Sequence, residues 1–200
     1  MIEAAEFHRV SARSFVWNRY DSSVKAELFS TGLGTAAGLW LVDPFSVEWS
    51  QLSGAIGGTT ILGVVVTNEN HWRAAAAFGE KLDVPIHAHP EATAEPVSAS
   101  VLSANTELAG NVIVVPIDGA PAGEIALFSK DEGGTVVIGD ALINFGAHGF
   151  TFLPAKYCAN QKRMRTSLRQ LLDYQFERLL FAHGEPILTH ARQRLAELLG

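Results

Sequence analysis

A polar run at residues 68–73 brings amide, carboxylate, imidazole and guanidinium side chains into close succession. It reads Asn68-Glu69-Asn70-His71-Trp72-Arg73. Groups of these types bind small ligands, hold metal ions or transfer protons. The run follows a short apolar, β-branched segment at 61–66, which predicts a buried strand, and it precedes an alanine-rich helix. Because open α/β folds place ligand-binding groups where a strand ends before a helix, we expect the functional site here.

The composition is typical of one globular domain, residues 1–200, with 48% hydrophobic residues to build a core. A formal net charge of −6 gives no support for nucleic acid or an anionic membrane as a partner. The start of the chain lacks the basic and apolar regions of a signal peptide, and no apolar segment has the length of a membrane span. Cys158 is the only cysteine, which excludes an internal disulfide. We therefore expect a cytoplasmic protein, with its oligomeric state left open.

Both strands and helices must position the polar run. The first third of the chain predicts strands at Ser14–Tyr20, Val24–Ser30 and Gly38–Val42, with a turn at 31–34. Asn68 and Asn70 are suited to capping a helix that begins near His71. Further strands are predicted at 84–89, 111–116, 124–128 and 135–138, and helices near Gln161–Tyr174 and Leu188–Leu199.

Four segments, in the expected order, resemble motifs of metallo-β-lactamase-fold hydrolases. Residues 67–73 share the frame of that family's Thr-His-x-His-x-Asp-His motif, and residues 119–127 resemble its Gly-His-x-Pro-Gly loop, with Ala120 at the third histidine position. Residues 136–142 are similar to the strand that ends in Gly-Asp, and they retain Asp140. Residues 179–187 resemble the last strand and its Gly-His-Gly corner, and they retain His183. The resemblance implies an αβ/βα sandwich, in which two mixed β-sheets carry helices on their outer faces and the site lies at one edge.

A partial match at Leu41-Val42-Asp43-Pro44 is similar to the family's Ile-Asp-x-Gly corner, with Pro44-Phe45 in place of the usual glycine. Asp43 then has two interpretations. It contacts and supports the residues that form the site, or it only opens a turn before proline.

The metal-ligand positions implied by this resemblance are mostly substituted. The first-metal positions hold Asn68, Asn70 and Ala120, and a neutral amide oxygen is a weak zinc ligand. Of the second-metal positions, Trp72 and Arg73 are not ligands, so only Asp140 and His183 remain. We therefore predict no binuclear centre and expect no cofactor. We further predict that Arg73 replaces the lost metal charge by forming a hydrogen-bonded ion pair with Asp140.

Two functional classes follow from these substitutions. The leading expectation is a protein without metal that binds a small molecule, or a pseudo-enzyme. The candidate catalytic residues are His71, Arg73, Asp140 and His183. Ligand contacts are expected from the remaining polar and aromatic candidates, Asn68, Asn70, Trp72 and His148. The alternative is a hydrolase with one zinc or similar divalent metal on His71, Asp140 and His183, with His148 as a further ligand, or with a His/Asp acid–base pair.

Overall fold

The computed structural model describes residues 5–22, 25–93, 98–145 and 149–200. Its first β-sheet contains seven strands in sequential order: β1 (Glu6–Arg9), β2 (Phe15–Asp21), β3 (Ala26–Gly34), β4 (Leu39–Val42), β5 (Ile61–Val66), β6 (Ile86–Ala88) and β7 (Ser100–Val101). Strands β1 to β4 pair antiparallel, and β4 to β7 pair parallel. Helices α1 (Trp49–Ile56) and α2 (Ala75–Leu82) connect the parallel strands β4, β5 and β6.

The second sheet is also mixed. Its strands are β8 (Glu107–Leu108), β9 (Val112–Pro116), β10 (Ile125–Ser129), β11 (Thr135–Ile138) and β14 (Arg178–Phe181). Between β11 and β14 the chain forms a separate hairpin, β12 (Leu142–Phe145) and β13 (Gly149–Phe152), and helix α3 (Gln161–Leu168). Helix α4 (Ala191–Leu199) follows β14. The sheet order is β14-β11-β10-β9-β8, in which only β11 and β14 pair parallel. Among the described residues, no helix has the length and apolar character needed to cross a bilayer.

Alternating side chains divide the core into three apolar layers. Val65 of β5, Leu127 of β10 and Leu180 of β14 belong to the layer between the two sheets. Val64 and Val66 point the other way and pack with residues of α1 and α2. A third layer joins the outer face of the second sheet to α3 and α4. Two sheets with helices on both outer faces confirm the αβ/βα sandwich.

Several predicted boundaries were wrong. Residues 31–34 continue β3 rather than form a turn, since Gly32 pairs with both Phe15 and Leu41. A short 3₁₀ helix, Glu69–His71, precedes α2, which begins at Ala75 and not near His71. Helix α3 begins at Gln161 as predicted, and a 3₁₀ helix continues from it to Asp173. Helix α4 ends at Leu199 as predicted but begins at Ala191 rather than near Leu188. Val24 and His148 lie outside the described residues.

The ends of β4, β5, β11 and β14 meet at one edge of the sandwich. The backbone N–H of Ile125 donates to the carbonyl of Thr67 across the two sheets, at 2.8 Å. The N–H of Ala182 donates to the carbonyl of Ile138, at 3.1 Å. The first hydrogen bond joins the two sheets, and the second continues the pairing of β11 with β14. The residues that follow these strands therefore lie close to one another.

Candidate metal centre

Three possible metal ligands converge at this edge: His71 after β5, Asp140 after β11 and His183 after β14. One nitrogen or oxygen atom from each lies within 4.8 Å of the others. Nε2 of His71 is 3.2 Å from Oδ1 of Asp140, and Nε2 of His183 is 3.3 Å from the same oxygen. His71 is buried and His183 is partly exposed, so the cluster is open to solvent on the His183 side.

The ring of His71 is held by its other nitrogen. Its Nδ1 lies 2.8 Å from the hydroxyl of Thr67 and 3.0 Å from Oδ2 of Asp43. The hydroxyl of Thr67 already donates a hydrogen bond to Asp43 at 2.5 Å, so its oxygen can accept a hydrogen bond from Nδ1–H of His71. These acceptors assign a proton to Nδ1, which leaves Nε2 of the neutral ring with a lone pair facing Asp140.

The ring of His183 is also held by its Nδ1 atom. Its Nδ1 lies 3.3 Å from the backbone carbonyl of Glu27, an atom that can only accept a hydrogen bond. The proton of the neutral ring is therefore on Nδ1, and Nε2 is free to act as a ligand. Metal-binding histidines in proteins are oriented in this way, by a carboxylate or carbonyl behind the ring.

Asp140 is oriented by an amide side chain. Nδ2 of Asn68 donates to Oδ2 of Asp140 at 3.2 Å and to Oε2 of Glu124 at 2.6 Å. Oε1 of Glu124 accepts the backbone N–H of Ala141 at 3.0 Å. Oδ2 of Asp140 is thus occupied by Asn68, while Oδ1 faces the two histidines.

The charges of this cluster shift several pKa values. Burial lowers the pKa of His71, but the carboxylates of Asp140 and Asp43 outweigh burial and raise it to about 9. Burial lowers the pKa of His183 to about 4, against the opposing charge of Asp140. Burial and the charge of Asp140 raise the pKa of Glu124 to about 8. Burial raises the pKa of Asp140, but the positive charge of the nearby His71 outweighs burial and holds that pKa well below its usual range.

The geometry fits a single divalent metal. With metal–ligand distances of about 2.0–2.1 Å, two ligands of a tetrahedral site lie about 3.3–3.4 Å apart. Two of the three separations, 3.2 and 3.3 Å, are close to that value, and all three ligand atoms lie within 4.8 Å of one another. Nε2 of His71 is buried and has no hydrogen-bond partner among the described residues, although Oδ1 of Asp140 lies 3.2 Å away. Three atoms that can carry lone pairs therefore lie close enough together to hold one cation.

The predicted ion pair between Arg73 and Asp140 was wrong. The Nη1 of Arg73 donates to the backbone carbonyls of Phe29 at 2.6 Å and Asp43 at 3.0 Å, and Nη2 donates to Ala182 at 3.5 Å. These three hydrogen bonds hold the guanidinium on the backbone of three chain segments, and it forms no ion pair with Asp140. Its influence on Asp140 is a longer-range one, through charge alone. The group that faces Asp140 directly is His71.

Some of the other candidate residues line one of two cavities. A cleft of about 1240 Å³ opens over the three converging residues and is also lined by Arg73 and Asn70. A second cavity of about 650 Å³ shares Asn70 with the cleft and is lined by Ala120. Trp72 points away from the cluster, since its indole Nε1 donates to the carbonyl of Ala92 at 2.5 Å.

Two functional residues were missed or left undecided in the sequence. Glu124 was placed only at the start of a strand, and nothing in its spacing indicates that it holds Asn68. Asp43 was left between two interpretations, and the structure supports the one behind the site, because its carboxylate accepts from Thr67 and lies against His71. The signal that pointed to this role was the partial match of residues 41–44 to the family's Ile-Asp-x-Gly corner.

Comparisons with known proteins agree with this fold. The sequence profile described as the metallo-beta-lactamase superfamily matches residues 7–200. The chain therefore belongs to the metallo-beta-lactamase superfamily. No curated protein sequence matches it significantly.

Solved structures with the same fold are distant in sequence. The DIM-1 metallo-beta-lactamase is 14% identical with a TM-score of 0.79, and the match covers 100% of this chain and 98% of that one. A metallo-beta-lactamase from Pontibacter korlensis is 14% identical with a TM-score of 0.71, covering 96% and 99%. One from Erythrobacter litoralis is 14% identical with a TM-score of 0.71, covering 100% and 93%. At these identities the likeness shows the fold alone.

Proposed function

We propose that the protein is a hydrolase with one divalent metal, such as zinc, held by His71, Asp140 and His183. The observation that carries the proposal is the convergence of three lone-pair atoms, two of them imidazole nitrogens whose opposite nitrogens are hydrogen-bonded to fixed acceptors. Superfamily membership also favours a metal-dependent hydrolase. A bound divalent cation would supply Lewis acidity and lower the pKa of water.

The residues of the chain would hold and orient the reactants. Asp140 would ligate through Oδ1 while Asn68 holds Oδ2, which keeps the carboxylate in one orientation. Asn70 is exposed at the junction of the two cavities, where its amide can donate a hydrogen bond to a substrate carbonyl. The remaining positions of the first-metal site, with Ala120 in place of histidine, support a mononuclear rather than a binuclear arrangement.

Hydrolysis assays with and without metal test this proposal. Zinc-loaded and chelator-treated protein would be compared on an activated ester, a lactone and a β-lactam. We expect hydrolysis of at least one class only with metal, and Asp140→Asn should reduce it by at least about 100-fold. His8→Ala, which changes an exposed histidine far along the chain from the cluster, is the control and should retain activity. Activity that survives chelation, or that Asp140→Asn leaves intact, would exclude the proposed metal role.

A metal-free ligand-binding protein is the second candidate. It is favoured by the pKa of His71 near 9, since a protonated His71 can neutralise Asp140 without a metal. In that case the cleft would bind small molecules and would show no metal-dependent hydrolysis. An acid–base hydrolase is less well supported, because the same pKa keeps His71 protonated and unable to act as a base at neutral pH.

A further inference from the structure

The cleft above the three candidate ligands has an apolar wall. The β12–β13 hairpin supplies Ile143, Phe145 and Phe152 to this wall, and Leu28 of β3 faces the same space. Phe145 and Phe152 are only partly buried, and the ring centroid of Phe145 lies 6.2 Å from that of His183. An apolar surface beside a polar floor favours a ligand whose reacting group is attached to an apolar body.

One charged side chain lies against this wall. The guanidinium carbon of Arg165 is 4.5 Å from the ring centroid of Phe152, a stacking distance that leaves the N–H groups at the edge of the guanidinium plane available. Among the described residues, Arg165 forms no ion pair with a carboxylate. Asp21 also lines the cleft, and its charge acts on Arg73.

We propose that the cleft binds organic anions with an aryl or alkyl body, which packs against Phe145 and Phe152 while the anionic group contacts Arg165. As a statement about substrate, this inference rests on the proposed hydrolase function, and it names the class as esters, lactones or amides with an apolar acyl part and a carboxylate. Binding itself requires the wall and Arg165 and does not require a metal. Short, neutral acyl compounds leave both features without a contact.

Chemical-shift titrations with three simple compounds test the inference, using both zinc-loaded and metal-free protein. The compounds are 4-phenylbutyrate, butyrate without the ring, and 4-phenylbutanol without the charge. We expect 4-phenylbutyrate to bind at least about tenfold more tightly than butyrate in both forms of the protein. It should bind about twofold to fivefold more tightly than 4-phenylbutanol, as suits an exposed ion pair.

Two variants assign these preferences to their residues. Arg165→Gln should abolish the preference for the carboxylate over the alcohol, whereas Arg163→Gln should not, because Arg163 lies on the same helix but lines the second cavity. Phe152→Ala should reduce the preference for the phenyl compound. Equal binding of 4-phenylbutyrate and butyrate, or an equal effect of the two arginine variants, would overturn the inference.

The binding result is separate from the test of hydrolysis. The predicted binding pattern without metal-dependent hydrolysis would reject the hydrolase and keep the ligand class. Metal-dependent hydrolysis with no preference for apolar, anionic compounds would keep the hydrolase and reject the ligand class.

Discussion

His71 and Arg73 stand two residues apart, yet they do different things. Residue 71 turns its ring into the cluster, and residue 73 donates to the carbonyls of Phe29, Asp43 and Ala182. Arg73 adopts a left-handed backbone with φ of 36°, and its guanidinium contacts those three carbonyls rather than Asp140. The positively charged side chain that lies next to Asp140 in the metal-free protein is therefore His71 and not Arg73.

Substitution of Arg73 tests its role as a structural donor. Arg73→Ala would remove the guanidinium donor from three backbone carbonyls, of which those of Asp43 and Ala182 also accept from Ser30 and Phe29, and should lower the free energy of unfolding by about 1–3 kcal/mol. Arg73→Lys keeps the charge but cannot reach all three carbonyls, so it should recover only part of the loss. Urea denaturation provides the measurement, and exposed Lys162→Ala is the control. Full recovery with lysine would show that the charge alone matters.

At the scale of elements, the glycines of β3 explain why a predicted turn is a strand. A Cβ atom at Gly32 would lie 2.6 Å from atoms of the Phe15 ring, and one at Gly34 would collide with the backbone carbonyl of Arg13. The two glycines permit close packing of β2 on β3 and are not needed for chain reversal. Composition does not distinguish these two uses of glycine, because both favour a small residue.

A pair of glycine variants tests this interpretation. Gly34→Ala should lower the free energy of unfolding by about 2–3 kcal/mol, because the backbone of Arg13 must move. Gly54→Ala is the matched control, since the added methyl group in α1 meets nothing within 4 Å. It should raise stability by about 0.5–1 kcal/mol through helix propensity. Equal tolerance of both changes in thermal denaturation would contradict the packing role of Gly34.

The sequence predicted the sandwich and several of its strand ends because motif order and strand patterns survive substitution of ligands. Asp140 and His183 could be named because each follows a recognisable apolar strand. The choice of Arg73 rather than His71 as the partner of Asp140 was wrong, since the orientation of these side chains depends on a 3₁₀ helix and on one backbone angle. Glu124 was out of reach because its partner, Asn68, lies on the opposite sheet.

For the whole molecule, the cluster links stability to pH. The pKa of His71 is raised from 6.5 to about 9, so its protonation stabilises the metal-free fold fully below about pH 6.5. That contribution is lost as pH rises through about 9. Glu124 acts in the same direction, because its raised pKa of about 8 means that stability falls as pH rises from about 4.5 to 8.

Metal-free protein should therefore lose on the order of 2–4 kcal/mol of stability between pH 6.5 and 9.5. His71→Gln should flatten this dependence, because the main titrating group is removed. Urea denaturation at a series of pH values checks the prediction. A wild-type stability that is constant or rises over this window would show that His71 is not held between the two carboxylates as a cation.

Metal stoichiometry tests the central claim most directly. Protein equilibrated with zinc by dialysis would be analysed for bound metal, alongside His71→Ala, His183→Ala and the control His8→Ala. The account predicts about one zinc per chain for the wild type and His8→Ala, and a loss of tight binding in both site variants, because each removes one of three ligands. No bound zinc in the wild type, two per chain, or one per chain that survives His71→Ala would contradict it.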